Sequence, residues 1–160
     1  MNKASVNAQD VPLPPWSESA GGYAVKVLDE IKRDNWELSV LLCGDKTIAT
    51  LNAQYRGKAE ATDILSFSLG GEVQDGNSGF FLPGDIVISL DTLRENARYF
   101  QTPEDEELRR LLIHGILHLN GMDHSQNLSE AASSGDPMLT LQEEILSKLK
   151  DERIFTGEER

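Results

Sequence analysis

All three histidines of the chain fall in one short segment, HGILHLNGMDH at positions 114–124. His114 and His118 stand four apart, so on a helix both imidazoles leave the same face and can reach one ion. Gly121 follows, and glycine tolerates the left-handed backbone that ends a helix and turns the chain back, bringing His124 toward the pair. Three neutral imidazoles with a fourth position open is the donor set of a catalytic zinc. A structural zinc normally takes four protein ligands, and no fourth strong ligand stands nearby. The spacing therefore predicts one Zn2+ per chain, held by His114, His118 and His124, and with it a metal-dependent hydrolase. Imidazole also suits iron, nickel and copper, so zinc is the first of several metals. Three helix-face histidines with ordinary packing roles are the plainer alternative; a lone histidine would favour it, and the i, i+4 pair with a turn-placed third favours the metal. Asp123 is placed either to accept a hydrogen bond from a ligand imidazole, fixing its tautomer, or to cap the turn.

The spacing H-x-x-x-H-x-x-G-x-x-H is shared with the metzincin peptidases, whose motif has glutamate directly after the first histidine as general base. Gly115 occupies that place here, which argues against an ordinary peptidase of that type. Met138 falls on an apolar helical stripe, where core packing explains it better than a metzincin methionine turn. No residue stands out as a general base.

These residues need a scaffold, and the patterning predicts an α+β fold: a single domain with a small mixed β-sheet packed with helices, the metal site on a helix and the following turn. Residues 1–16, with Pro12, Pro14 and Pro15, read as an extended arm with a short edge strand near 5–11. Tyr23, Val27 and Ile31 recur at helical spacing within 17–33. Residues 36–43 read as a strand. Asp45 suits the N-cap of a helix carrying Ile48, Leu51 and Tyr55 and ending near Gly57, with Arg56 and Lys58 at its C-terminal end. ILSFSL (64–69) and DIVISL (85–90) are strands, joined through GGEVQDGNSG, which is long for a tight hairpin. A helix follows over 91–100, and Asp63 and Asp85, beside strands, read as structural. Thr102, Pro103 and the acidic residues after them suit the cap, first residue and positive dipole end of the helix that carries the histidines. A last amphipathic helix over 137–150 is built on Met138, Leu141, Ile145 and Leu149. The acidic stretches at 142–144 and in DERIFTGEER read as solvated surface, with 151–160 a flexible tail.

With 160 residues, 39% hydrophobic and 26% charged, the chain has the size and composition of one globular domain. Its apolar runs fall far short of the roughly 20 residues that cross a bilayer, and its N-terminus lacks the pattern of a secretory signal. A cytoplasmic location without a membrane partner is the expectation. Cys43 is the single cysteine, which rules out an intrachain disulfide and a multi-thiolate zinc site; in an apolar run it reads as a buried, inert thiol. A formal charge of −12 excludes coating of nucleic acid by bulk electrostatics, so any RNA contact must be local.

HGILHLNGMDH closely resembles the motif of the YbeY family of bacterial endoribonucleases. LNAQYRGKAEATDILSF (51–67) resembles that family's segment leading into a sheet strand, including Tyr55, Arg56, Lys58, Thr62, Asp63, Leu65, Ser66 and Phe67, and GDIVIS (84–89) resembles its next strand. Together the blocks cover 51–145. Ala59, Ala61 and Ser68 depart from the family's more usual Asp, Pro and Pro, which bears on the shape of the loop before the strand. The resemblance implies a zinc-binding α+β fold, an RNase preferring single strands, and work in 16S rRNA 3′-end maturation and ribosome quality control. RNA, chiefly rRNA, and a ribosomal subunit or its proteins would be the partners, with no DNA. The family's functional arginine maps onto Arg56, whose fork would hold a phosphate and stabilise developing charge; a helix-end charge meeting the dipole is the alternative. Lys58 would help attract phosphate or stand as a solvated loop lysine. Hydrolysis of another bond, such as a peptide, and a ribosome-associated protein with a structural metal remain the competing readings.

Overall fold

Alternation along ELSVLLC sends Leu38, Val40 and Leu42 to one side of a strand and Leu41 and Cys43 to the other, so β2 (Glu37–Cys43) belongs inside a sheet covered on both faces. In the computed structural model, which describes residues 1–69, 80–122 and 136–155, β2 lies between β1 (Lys3–Ala8) and β4 (Gly84–Ser89), parallel to both. β3 (Ile64–Ser68) pairs antiparallel with β4 and completes the order β1-β2-β4-β3. The sheet is therefore mixed, as the α+β reading requires.

Five helices are described: α1 (Ser17–Glu30), α2 (Asp45–Arg56), α3 (Leu90–Tyr99), α4 (Glu104–Leu119) and α5 (Pro137–Lys148). Apolar residues of α1, α4 and α5 bury the face carrying Leu38, Val40, Leu42, Ile86 and Ile88. Ile48 and Leu51 of α2 cover the other face against Cys43, Leu65 and Val87. None of the described helices is long and apolar enough to cross a membrane. Met138 is fully buried in the larger core, inside α5, as its stripe position predicts. Cys43 is also fully buried, and burial pushes its thiol up to about 11, the behaviour of an inert thiol.

Both chain ends differ from expectation. The edge strand is Lys3–Ala8, not 5–11, because Asn2 fixes where it starts: its amide donates to Asp29 Oδ1 and the Arg33 carbonyl, and its Oδ1 accepts from Trp36 N–H. At the other end, Ile154 and Phe155 are buried, so 151–155 is not a free tail. Phe155 stacks on Trp16 with centroids 5.0 Å apart, and Asp105 Oδ2 accepts from the backbone N–H of Ile154 at 3.1 Å and of Phe155 at 2.7 Å. Two helix caps are also shifted by a residue. Gly44 caps α2, and Asp45, its first residue, accepts from Ser89 Oγ at 2.7 Å and Thr92 Oγ1 at 2.5 Å, joining α2 to the β4–α3 junction. Pro103 occupies the N-cap position of α4, not the first helical one. The glycine-rich stretch at 70–79 lies outside the described residues.

Candidate active site

α4 is positioned at both ends by its own sequence. Glu104, Asp105, Glu106 and Glu107 fill the first turn, where the helix dipole favours negative charge. At the far end Gly121 adopts φ 91°, with Gly121 N–H donating to the His118 carbonyl and Met122 N–H to the Leu117 carbonyl, each at 3.0 Å. That pair of bonds is a Schellman motif, and it ends the helix where the glycine predicts. Between the ends, α4 is pressed onto the sheet at Gly115: a Cβ there would meet Ile86 Cδ1 at 2.9 Å and Ile64 Cδ1 at 3.0 Å. The residue after the first histidine thus faces β3 and β4.

His114 and His118 emerge half-buried, one turn apart, with ring centroids 4.7 Å apart and planes inclined by 76°. His114 Nδ1 lies 2.7 Å from Oε1 of Gln142 on α5. Gln142 is itself buried, and its Nε2 donates to Glu143 Oε2 at 3.1 Å. Arg110, one turn before His114, forks onto Glu143, Nε to Oε2 at 3.0 Å and an outer nitrogen to Oε1 at 3.2 Å. This cation holds the Glu143 carboxyl below the usual range, and the carboxylate in turn raises the Arg110 guanidinium. Gln142 therefore does not belong to a solvated acidic stretch, contrary to the sequence expectation. The signal that could have found it is a polar side chain on a helix's buried stripe.

Two adjacent half-buried imidazoles, one with a ring nitrogen engaged by an amide oxygen, are donors of the kind a divalent transition metal takes. His124 and Asp123, expected to complete and support this set, lie outside the described residues. Among the described residues, no three His, Cys, Asp or Glu side chains converge as a metal site.

Arg56 is the last residue of α2, exposed, with Gly57 at φ 71° reversing the chain immediately after it. Lys58 is also exposed. Both sit where α2, on one sheet face, hands over to β3, the edge strand that α4 crosses on the other. The loop between them is held by buried Asn52, whose Nδ2 donates to the Glu60 carbonyl at 2.9 Å. Asp63 has a structural part: its carbonyl accepts from Ser89 N–H and its carboxylate from Asn96 Nδ2. Glu107, two turns before His114 on α4, is buried, and that burial raises its carboxyl above the usual range.

Residues 8–150 match the family described as Endoribonuclease YbeY. Endoribonuclease YbeY of Treponema pallidum is 45% identical over 149 residues, covering 92% of this chain and 90% of that one. The chain belongs to the YbeY endoribonuclease family. The YbeY protein of Treponema denticola is 47% identical over 134 residues, 83% of each chain, and that of Persephonella marina 40% identical over 125 residues, 78% of each. The solution structure of TM1509 from Thermotoga maritima shares the fold, with a TM-score of 0.58 at 24% identity over 97% of each chain. YbeY membership makes this a hydrolase that cuts within RNA. It also accords with Gly115, whose side of the helix is closed by Ile64 and Ile86 where a metzincin has its glutamate.

Proposed function

We propose that this protein is a zinc-dependent endoribonuclease that prefers single-stranded RNA and acts in the cytoplasm on rRNA, in 16S 3′-end maturation and ribosome quality control. The observation that carries the metal reading is the pair of half-buried imidazoles, His114 and His118, one turn apart at the end of α4. His124 is the third ligand on the strength of the motif spacing, with Asp123 beside it as a supporting acceptor.

When bound, the metal supplies Lewis-acid chemistry, neutralising charge on a phosphoryl oxygen and acidifying water. The chain's own residues orient the substrate. Arg56 presents a guanidinium whose two parallel N–H groups match a phosphate and follow the charge that builds on it. Lys58 adds a second positive charge on the same exposed turn. An unstacked strand can bend its backbone toward a recessed site, whereas an A-form duplex holds its phosphates on a fixed curve. A net charge of −12 leaves few cations to neutralise phosphate, so free RNA binds weakly with a shallow salt dependence, and a ribosomal subunit or its proteins supply the missing affinity.

The test compares zinc-loaded wild type, His118→Ala and a mock preparation on single-stranded RNA, duplex RNA, ribosomal subunits and casein. Wild type should cut single strands faster than duplex, and His118→Ala should lose the activity. Cleavage by His118→Ala at the wild-type rate, or robust casein hydrolysis by wild type alone, would overturn the proposal.

A further inference from the structure

Two polar rungs cross the interface between α4 and α5: Arg110 with Glu143, and one helical turn further along α4, His114 with Gln142. They are joined because Gln142 and Glu143 are consecutive and Gln142 Nε2 donates to Glu143 Oε2. Polar residues this close to a core are retained when every donor finds an acceptor, and the hydrogen-bond capacities here leave one consistent assignment.

Arg110 has only donors and forks onto both oxygens of Glu143, so Glu143 is an ionised carboxylate that only accepts. The side of the Gln142 amide facing Glu143 must then be its NH2. The side facing His114 is consequently the carbonyl oxygen, which also only accepts. A 2.7 Å contact between that oxygen and His114 Nδ1 is a hydrogen bond only if Nδ1 carries the proton. In a neutral imidazole the lone pair then resides on Nε2. The direction is set from the Arg110 end, because a guanidinium can only donate and stays charged.

We infer that Gln142, oriented by Glu143 and Arg110, is a positioning residue that locks His114 as the Nδ1–H tautomer and so dedicates Nε2 to the ligand site. The inference rests on the metal reading for its purpose, not for its geometry. An amide acceptor behind a ligand imidazole fixes the ring's orientation and raises its basicity, and losing such a partner costs about 10–100-fold in metal affinity. Arg110 and Glu143 act at one further remove: they choose which end of the amide faces the ring. Glu143 is half-exposed, so its substitution tests the arrangement without opening the core.

The experiment records long-range 1H–15N spectra of the full-length protein with and without zinc, and zinc affinity by competition with a chromophoric chelator. Wild type, Gln142→Leu, Gln142→Glu and Glu143→Gln are compared. Wild type should show a protonated Nδ1 on His114 in both states. Gln142→Leu should lose that signature and bind zinc about 10–100-fold more weakly, while Gln142→Glu, which keeps an acceptor behind the ring, should restore both. Glu143→Gln leaves packing intact but frees the amide to turn, so the Nδ1–H population should fall even if Gln142→Leu fails to fold. A protonated Nδ1 that persists unchanged in Glu143→Gln, or wild-type zinc affinity in a folded Gln142→Leu, would overturn the inference. If wild type takes up no zinc, the metal reading falls, and the zinc-free spectra still decide the tautomer.

Discussion

Replacement of Gly115 separates a site-facing from a sheet-facing position in the histidine helix. An alanine Cβ would stand 2.9 Å from Ile86 Cδ1, 3.0 Å from Ile64 Cδ1 and 3.1 Å from Ile86 Cγ1, closer than carbon atoms pack. Overpacking of this kind costs about 1–3 kcal/mol, whereas removing a mid-helix glycine returns about 1 kcal/mol of helix propensity. The net loss for Gly115→Ala is about 0–2 kcal/mol, and at about 2–4 °C per kcal/mol for a chain of this size the melting temperature falls by up to ~8 °C. Gly115→Glu is far worse. Its carboxylate would be driven among isoleucines without a partner, adding several kcal/mol to the overpacking, against a total stability on the order of 5–15 kcal/mol. Circular-dichroism melts of the two variants should therefore show a modest shift for alanine and a largely unfolded or grossly destabilised protein for glutamate. A Gly115→Glu protein melting within about 2 °C of wild type would refute the packing of Gly115 against Ile64 and Ile86.

Three further outcomes follow from particular contacts. Asp105→Ala strands the buried Arg109 guanidinium, now 2.6 Å from Asp105, and unpairs the Ile154 and Phe155 N–H groups; it should cost about 3–5 kcal/mol in urea unfolding and speed tryptic cleavage after Arg153, and unchanged cleavage would sink the docking role. Burial raises the Glu107 carboxyl, so the folded state favours its protonated form: that contribution is fully present below the unfolded pKa and is lost as pH rises through the folded one. Glu107→Gln should therefore stabilise the protein at neutral pH by an amount that shrinks in acid, and a gain that grows on acidification contradicts the assignment. Arg56→Ala should reduce RNA cleavage by about 10²-fold with metal content and melting temperature nearly unchanged, since the residue is exposed; parallel loss of metal would make Arg56 a support of the site instead.

What could be read ahead of the structure was whatever a local period encodes. His114 and His118 are neighbours because a helix repeats every 3.6 residues, and Gly121 ends that helix because a left-handed residue is needed there. The strand in ELSVLLC follows from the same kind of short-range rule. Asn2, Asp105 and Gln142 have no such period. Each is a polar residue with at least one partner 28 or more positions away: Asn2 and Trp36, Asp105 and Phe155, Gln142 and His114. In sequence they look like an arm, an acidic helix start and an acidic surface; in space each finds hydrogen-bond partners beside the core. Burial of a polar group is tolerated only when such partners are supplied, so the remote partner, not the residue itself, explains its place. The weak trace left in the sequence is a break in pattern, most visible at Gln142, which shares the buried side of α5 with Met138, Ile145 and Leu146. Packing alone would be served there by another aliphatic side chain. The amide is accounted for by the imidazole it meets on α4, which ties the choice of residue in the last helix to the chemistry of the histidine helix.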